Sequence, residues 1–231
     1  QYAKVNGNFL VKKPKSLSLK ESMIMGTAGF TALQCSFATK TTREELLLGE
    51  KVQDVVVSGA SGGVGSMAVM ILNKLGCNVT AVTGKDSNKD YLVSIGAKDV
   101  VNTSELMKDA RPLDKGLWDG AVDTVGGKVL ENILSQTKDA GIVAACGNAA
   151  DIKLNTTVMP FIIRGVKLWG INSVNASIRR RQFLWNEAGK LLDFETLGKS
   201  VKEINLEEVI DIYPKMLKGE TSGRYIINLD K

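Results

Sequence analysis

Histidine does not occur among the 231 residues, and this absence removes whole classes of chemistry. A Ser-His-Asp triad, a Cys-His pair and a His-bearing zinc site all need an imidazole, so most hydrolase readings fall away. Cysteine is scarce as well. Cys35, Cys77 and Cys146 lie far apart, and an odd, dispersed set fits reduced thiols better than a disulfide framework. No run approaches the roughly 18 uninterrupted apolar residues needed to span a bilayer, and the N-terminus lacks the basic-then-apolar pattern of a secretory signal. The expected compartment is the cytoplasm, with no membrane partner. The first residue is Gln1 rather than methionine, and a strand-like stretch from Tyr2 to Val11 begins with no earlier element to pair with. That pattern suggests a partial chain.

What is present is the composition of a globular protein: 44% hydrophobic and 24% charged residues, enough to bury one large or two modest domains. The net charge is +5, but the basic residues are dispersed. The one dense run, Arg179-Arg180-Arg181, opens an amphipathic helix and reads as a solvated face rather than a nucleic-acid surface.

From Asp54 onward, short β-branched runs alternate with helix-length amphipathic segments, the pattern of parallel strands with helices on both faces. The expected strands are Asp54–Ser58, Asn78–Val82, Asp99–Asn102, Gly120–Asp123, Gly141–Ala145 and Val166–Gly170. Helices are expected over Gly63–Leu75 and Ser87–Ile95, each followed by glycine, the usual stop. The fold class is α/β, a doubly wound sheet. Upstream, Glu21–Ala38 reads as a helix broken near Gly26-Thr27-Ala28-Gly29. Downstream, Ile178–Leu192 and Leu206–Leu217 read as helices and Arg224–Leu229 as a final strand.

Gly59-x-x-Gly62-Gly63-x-Gly65 follows an apolar strand and opens an amphipathic helix. Small residues there let backbone approach a pyrophosphate, and the helix N-terminus offers unpaired N–H groups and partial positive charge. The turn therefore reads as a dinucleotide-phosphate loop, with Val64 inside it. The 2′ position of such a cofactor is read at the end of the second strand. Here the sequence runs Thr83-Gly84-Lys85-Asp86-Ser87, with hydroxyl and lysine before any carboxylate. Lys85 and Ser87 suit a 2′-phosphate, which favours NADPH over NADH. Two later strand ends should face the same ligand, and they supply Val125 and Gly126 after the fourth strand and Cys146, Gly147 and Asn148 after the fifth. Cys146 reads as a small packing residue rather than a nucleophile. Asp123 reads as a residue that orients backbone rather than as a catalytic base.

Four segments occur in one order: Gly26-Thr27-Ala28-Gly29-Phe30-Thr31-Ala32, Ser58 to Gly65, Asp123-Thr124-Val125-Gly126 and Thr156-Thr157-Val158-Met159-Pro160-Phe161-Ile162. Together they resemble the zinc-free, quinone-oxidoreductase-like branch of the medium-chain dehydrogenase/reductases, and within it the acryloyl-CoA reductase subfamily. The resemblance implies a Rossmann domain over residues 23–177 and a GroES-like, β-rich catalytic domain of which 1–22 and 178–231 are pieces. It implies that Thr27 and Thr31 lie near the nicotinamide, Val64 and Gly65 on the pyrophosphate, and Thr83 to Ser87 on the adenosine phosphate. By the same resemblance Asn148, Phe161 and Ser173 lie by the nicotinamide, and Arg224 reaches the cofactor from the tail. An Asn-Tyr-Lys-Asp segment of the family's catalytic domain is absent from this sequence, so no catalytic residue is assigned.

The reaction this implies is hydride transfer from NADPH to the β-carbon of acryloyl-CoA or another α,β-unsaturated carbonyl, with no metal, in a homodimer. Reduction of a quinone by the same cofactor is the alternative within enzymes. A non-catalytic NADPH-binding or sensor module is the alternative outside them. Arg179, Arg180, Arg181 and Lys190 could hold an anionic substrate tail, although the solvated-face reading of that run is preferred.

Overall fold

The computed structural model describes residues 3–45 and 52–229. The chain enters through α1 (Leu19–Glu45), which starts on a reciprocal cap. The Ser18 hydroxyl accepts from the Glu21 N–H at 3.1 Å, and the Glu21 carboxylate accepts from the Ser18 N–H at 2.6 Å. Then follow β1 (Asp54–Val57), α2 (Gly63–Lys74), β2 (Asn78–Thr83), α3 (Lys89–Ser94), β3 (Asp99–Asn102), β4 (Trp118–Asp123), α4 (Gly127–Ser135), β5 (Thr137–Ala145), α5 (Met159–Arg164) and β6 (Lys167–Gly170). The remainder is α6 (Ile178–Leu191), α7 (Phe194–Gly198), β7 (Val201–Ile204), α8 (Val209–Leu217) and β8 (Arg224–Ile227).

Six strands form one parallel sheet in the order β3-β2-β1-β4-β5-β6, while β7 and β8 pair in parallel as a separate two-stranded sheet. Chain order reverses between β1 and β4, so the two crossovers on either side leave a crevice at their carboxyl ends, where open α/β sheets take ligands. Alternation along each strand supplies both cores. Val55 and Val57 join Val79, Ala81, Val122 and Ala144 in the cluster under α1, α2 and α6, and Val56 joins Val82, Ala121, Val143 and Val166 under α4 and α5. The middles of the interior strands are therefore mostly apolar on both faces, with polar residues such as Asp119, Thr83 and Asp123 toward their ends. The edge strand β6 is exposed at all four residues.

All six expected strands form. The N-terminal expectation does not: Tyr2 lies outside the described residues, and the rest of that stretch contains no strand, only a single 3₁₀ turn at Gly7–Phe9. Among the described residues no strand pairs with this segment, and the Asn6 side chain takes the Asn8 N–H into a local turn instead. The helix expected from Ser87 begins as a 3₁₀ turn, Asp86–Asn88, and the one expected from Leu206 begins at Val209. The break expected near Gly26 is present. Gly26 has φ 44° and ψ −149° inside α1, a conformation that essentially only glycine adopts.

Candidate functional site

The crevice is floored by the turn from β1 into α2. Gly59 has φ 57°, and a Cβ on it would lie 2.3 Å from the Thr124 hydroxyl. A Cβ on Gly65 would lie 2.3 Å from the Gly59 carbonyl oxygen, so the third glycine sets how closely α2 packs on the strand. Gly62 is the N-cap and has no side chain to cap with. The first turn of α2 thus opens on glycine backbone, which is the arrangement that binds an anion.

The neighbouring wall is organised by Asp123, at 0% exposure. Its Oδ1 accepts from the Ser58 hydroxyl at 2.6 Å and its Oδ2 from the Gly126 N–H at 2.9 Å. The Ser58 oxygen in turn accepts from the Thr124 N–H at 2.9 Å. Burial raises the Asp123 pKa from its ordinary value, against these hydrogen bonds, which lower it. The carboxylate orients the turn carrying Val125 and Gly126, in line with the backbone-orienting role expected of it. The loops after β4 and β5 interlock: a Cβ on Gly147 would lie 2.4 Å from the Thr124 carbonyl oxygen, and one on Gly126 would lie 3.3 Å from the Asn148 Cα. Cys146, half-buried, packs against the apolar cluster, and its thiol donates to the Asp123 carbonyl at 3.5 Å.

At the end of β2 the Thr83 hydroxyl donates to the Ser61 hydroxyl at 3.2 Å and accepts from the Lys85 N–H at 3.2 Å. This draws the second strand end onto the glycine turn. Gly84 and Ser87 are exposed. The Lys85 ammonium donates to the Thr221 carbonyl at 2.8 Å, which uses one of its three protons. The Asp86 carboxylate accepts from the Asn102 amide at 2.9 Å and so is engaged with the neighbouring strand end.

The tail supplies a cation. Arg224 lies between two glycines: a Cβ on Gly26 would come within 3.1 Å of its Nη2, and one on Gly63 within 3.1 Å of its Nη1. At the break in α1 the Ile24 carbonyl accepts from its Nε at 3.1 Å. Burial lowers the Arg224 pKa from its ordinary value, and among the described residues no carboxylate pairs with it. Arg224, Gly63, Thr221 and Gly223 line one end of a cavity of about 270 Å³ whose other walls include Tyr213 and Met216.

The remaining expected residues are more spread out. Thr27 is exposed on α1, and its carbonyl accepts from the buried Thr31 hydroxyl at 2.8 Å. Phe161, like Val125 and Ala145, packs against the apolar cluster on the α4 side of the sheet. Ser173 lies in the segment after β6, and its carbonyl accepts from Arg181. Arg181 corrects the reading of the three arginines as one solvated face. Arg179 and Arg180 are exposed, whereas Arg181 turns inward onto carbonyl groups and the Phe30 ring. Two partners were not assigned from sequence: Ser58, for which the only signal was its position before the first glycine, and Thr221, for which there was none.

Among the described residues no helix is long and apolar enough to cross a membrane, and no group of three or more His, Cys, Asp or Glu side chains is disposed to hold a metal ion. A family model described as zinc-binding dehydrogenase matches residues 63–189. The Escherichia coli protein named "Probable acrylyl-CoA reductase AcuI" is 42% identical over 100% of this chain and 69% of its own length. The yhdH oxidoreductase of Salmonella enterica, solved in complex with NADP, superposes with a TM-score of 0.92 at 42% identity over 98% of this chain and 68% of its own. The Bacillus subtilis protein yhfP, solved with NAD bound, superposes at 0.90 with 39% identity over 98% of this chain and 68% of its own. With the 3-2-1-4-5-6 sheet and the glycine turn in place, these likenesses show that the chain belongs to the medium-chain dehydrogenase/reductase family of oxidoreductases, on its quinone-oxidoreductase-like branch with the acrylyl-CoA reductases.

Proposed function

We propose that the chain binds NADPH across the carboxyl edge of the sheet and reduces an activated carbon–carbon double bond, acryloyl-CoA or a related α,β-unsaturated carbonyl. The observation that carries this reading is Arg224, a desolvated guanidinium set beside the glycine-floored N-terminus of α2, with no carboxylate partner among the described residues. A half-buried cation without such a partner suits an anion, and a diphosphate satisfies both the guanidinium and the open helix terminus. The Salmonella relative's NADP and the E. coli relative's name support the cofactor and the substrate class.

When bound, the nicotinamide supplies a hydride to the β-carbon of the alkene, and the α-carbon takes a proton. The chain's own part is binding and orientation. Gly62, Gly63, Val64 and Gly65 admit the pyrophosphate, and Arg224 neutralises it. Thr83, Gly84, Lys85 and Ser87 receive the 2′-phosphate end. Val125, Gly126, Cys146, Gly147 and Asn148 form the floor beyond β4 and β5, and Thr27, Thr31, Phe161 and Ser173 surround the nicotinamide end. Residues 1–22 and 178–231 belong, in this reading, with a catalytic domain that closes over 23–177. Cys35, Cys77 and Cys146, all free, suit the cytoplasm.

The test is oxidation of NADPH by the purified chain in the presence of acryloyl-CoA or of a benzoquinone. Turnover with acryloyl-CoA is expected. Preference for the quinone replaces the substrate assignment with quinone reduction, and tight NADPH binding without turnover of either makes the chain a binding module. A second copy is placed against β6, whose exposed edge carries Leu168 and Trp169 and can pair antiparallel with itself about a two-fold axis. Sedimentation should show a dimer that Trp169→Lys weakens.

A further inference from the structure

Residues 171–177 leave the carboxyl end of β6 at the edge of the site and return as α6. The start of this segment is held by the Ile171 N–H, which donates to the Ala145 carbonyl at 2.8 Å, and by the Asn172 side chain, which accepts from the N–H groups of Val174 and Asn175 at 2.9 and 3.1 Å. The rest is held by one side chain from the first turns of α6. Arg181 Nη2 donates to the carbonyls of Ser173 at 2.8 Å and Val174 at 2.7 Å, and its Nε donates to the carbonyl of Ala176 at 3.1 Å. The same guanidinium lies 4.9 Å from the centroid of the Phe30 ring, which is 3% exposed. Carbonyls in an irregular segment have no ladder to join, and here three of them converge on one planar cation stacked on one ring.

We propose that Arg181 is a positioning residue for the nicotinamide end of the cofactor: it fastens the segment carrying Ser173 to the turn of α1 that carries Thr27, Phe30 and Thr31. Two walls of the site that are remote in sequence are thereby held at a fixed separation. The inference rests on the NADPH reading, because it takes Ser173 and the Thr27–Thr31 turn to face the nicotinamide. A guanidinium can do this and an ammonium cannot do it equally well, since three acceptors and a ring face together require a planar fork.

The experiment is calorimetric titration of the full chain with NADPH and, separately, with 2′,5′-ADP, which carries the 2′-phosphate but no nicotinamide. Arg181→Ala is expected to weaken NADPH about tenfold, as befits the loss of several charge-assisted hydrogen bonds, and to leave 2′,5′-ADP within about twofold. Arg181→Lys should fall between Arg181→Ala and wild type for NADPH. Arg180→Ala, one position earlier and exposed, should change neither. Equal weakening of both probes by Arg181→Ala, or no weakening of either, overturns the proposal. If that variant does not fold, Arg181→Lys is read by the same two criteria. A wild-type chain that binds neither probe overturns the NADPH reading and this inference with it. Wild-type binding with an unselective Arg181→Ala effect overturns the inference alone.

Discussion

The Ser58 hydroxyl donates to the buried Asp123 carboxylate at 2.6 Å and so ties the end of β1 to the end of β4 at the point where the strand order reverses. Asp123 also accepts from the Gly126 N–H and, at 3.4 Å, from the Val125 N–H, so its two oxygens serve three donors. Asp123→Asn leaves one acceptor oxygen for these donors and turns an NH₂ toward at least one of them. A loss of about 1–3 kcal/mol in unfolding free energy is expected from the stranded buried group, with Ser58→Ala costing less. Denaturant unfolding checks both. An Asp123→Asn variant as stable as wild type would remove Asp123 as the organiser of this wall.

The glycine turn separates stability from binding. A Cβ on Gly65 meets the Gly59 carbonyl oxygen at 2.3 Å and the Ala60 Cα at 2.7 Å, backbone atoms that cannot swing aside. Gly65→Ala should therefore cost about 1–3 kcal/mol through overpacking. Gly62 has φ −82°, and its nearest such contact is at 3.2 Å. Gly62→Ala should fold normally and still lose NADPH affinity, because the added methyl stands where a phosphate must approach. Thermal unfolding and NADPH titration of the two variants should give opposite rankings.

Arg224 should matter through its charge. Arg224→Met keeps much of the side chain's packing between Gly26 and Gly63 and removes the cation. NADPH affinity is expected to fall by about 10- to 100-fold, the range for a lost charge-assisted contact, with little change in melting temperature. A change below about threefold would mean that the guanidinium does not meet the phosphates.

The interior of the fold was legible because burial on both faces forces continuous apolar runs such as Val55-Val56-Val57, and because steric demands force the glycines at 59 and 65. α4 went unassigned although Val129, Leu130, Ile133 and Leu134 have helical spacing, because Gly126 and Gly127, both at positive φ, look like a loop. β7 was illegible: Val201-Lys202-Glu203-Ile204 is a strand only because β8 lies alongside it. In the site, the roles of Lys85 and Arg181 depend on carbonyls remote in sequence or set by loop geometry. Three adjacent arginines look alike until Phe30 and residues 173–176 select one of them.

Lys85 should determine cofactor choice. Its ammonium is held toward the site by the Thr221 carbonyl, and Asp86, the carboxylate that could instead accept ribose hydroxyls, is engaged by Asn102. The two superposed relatives, one with NADP and one with NAD, show that related proteins of this family were solved with either cofactor, so the choice must be tested on this chain. Lys85→Ala is expected to lower the NADPH/NADH ratio of kcat/KM about tenfold, mostly through KM for NADPH. An unchanged ratio would place the 2′-phosphate elsewhere.

Acid stability should carry the signature of Asp54. Its carboxylate accepts from Lys138 at 2.9 Å and from the Asn78 amide at 3.0 Å, and the Lys138 hydrogen bond, with that from Asn78, holds its pKa below the usual value against the opposing effect of burial. A carboxylate whose folded pKa is depressed gives stability that is complete above its unfolded pKa of about 3.9 and is lost as the pH falls through the lower folded value. Asp54 is 40% exposed, so solvent screening keeps the effect small. Unfolding free energies measured from about pH 6 down to about pH 2 should show wild type falling more steeply than Asp54→Asn below about pH 4, the two converging at the acid end. Parallel curves would mean that the Lys138 pair contributes nothing to folding.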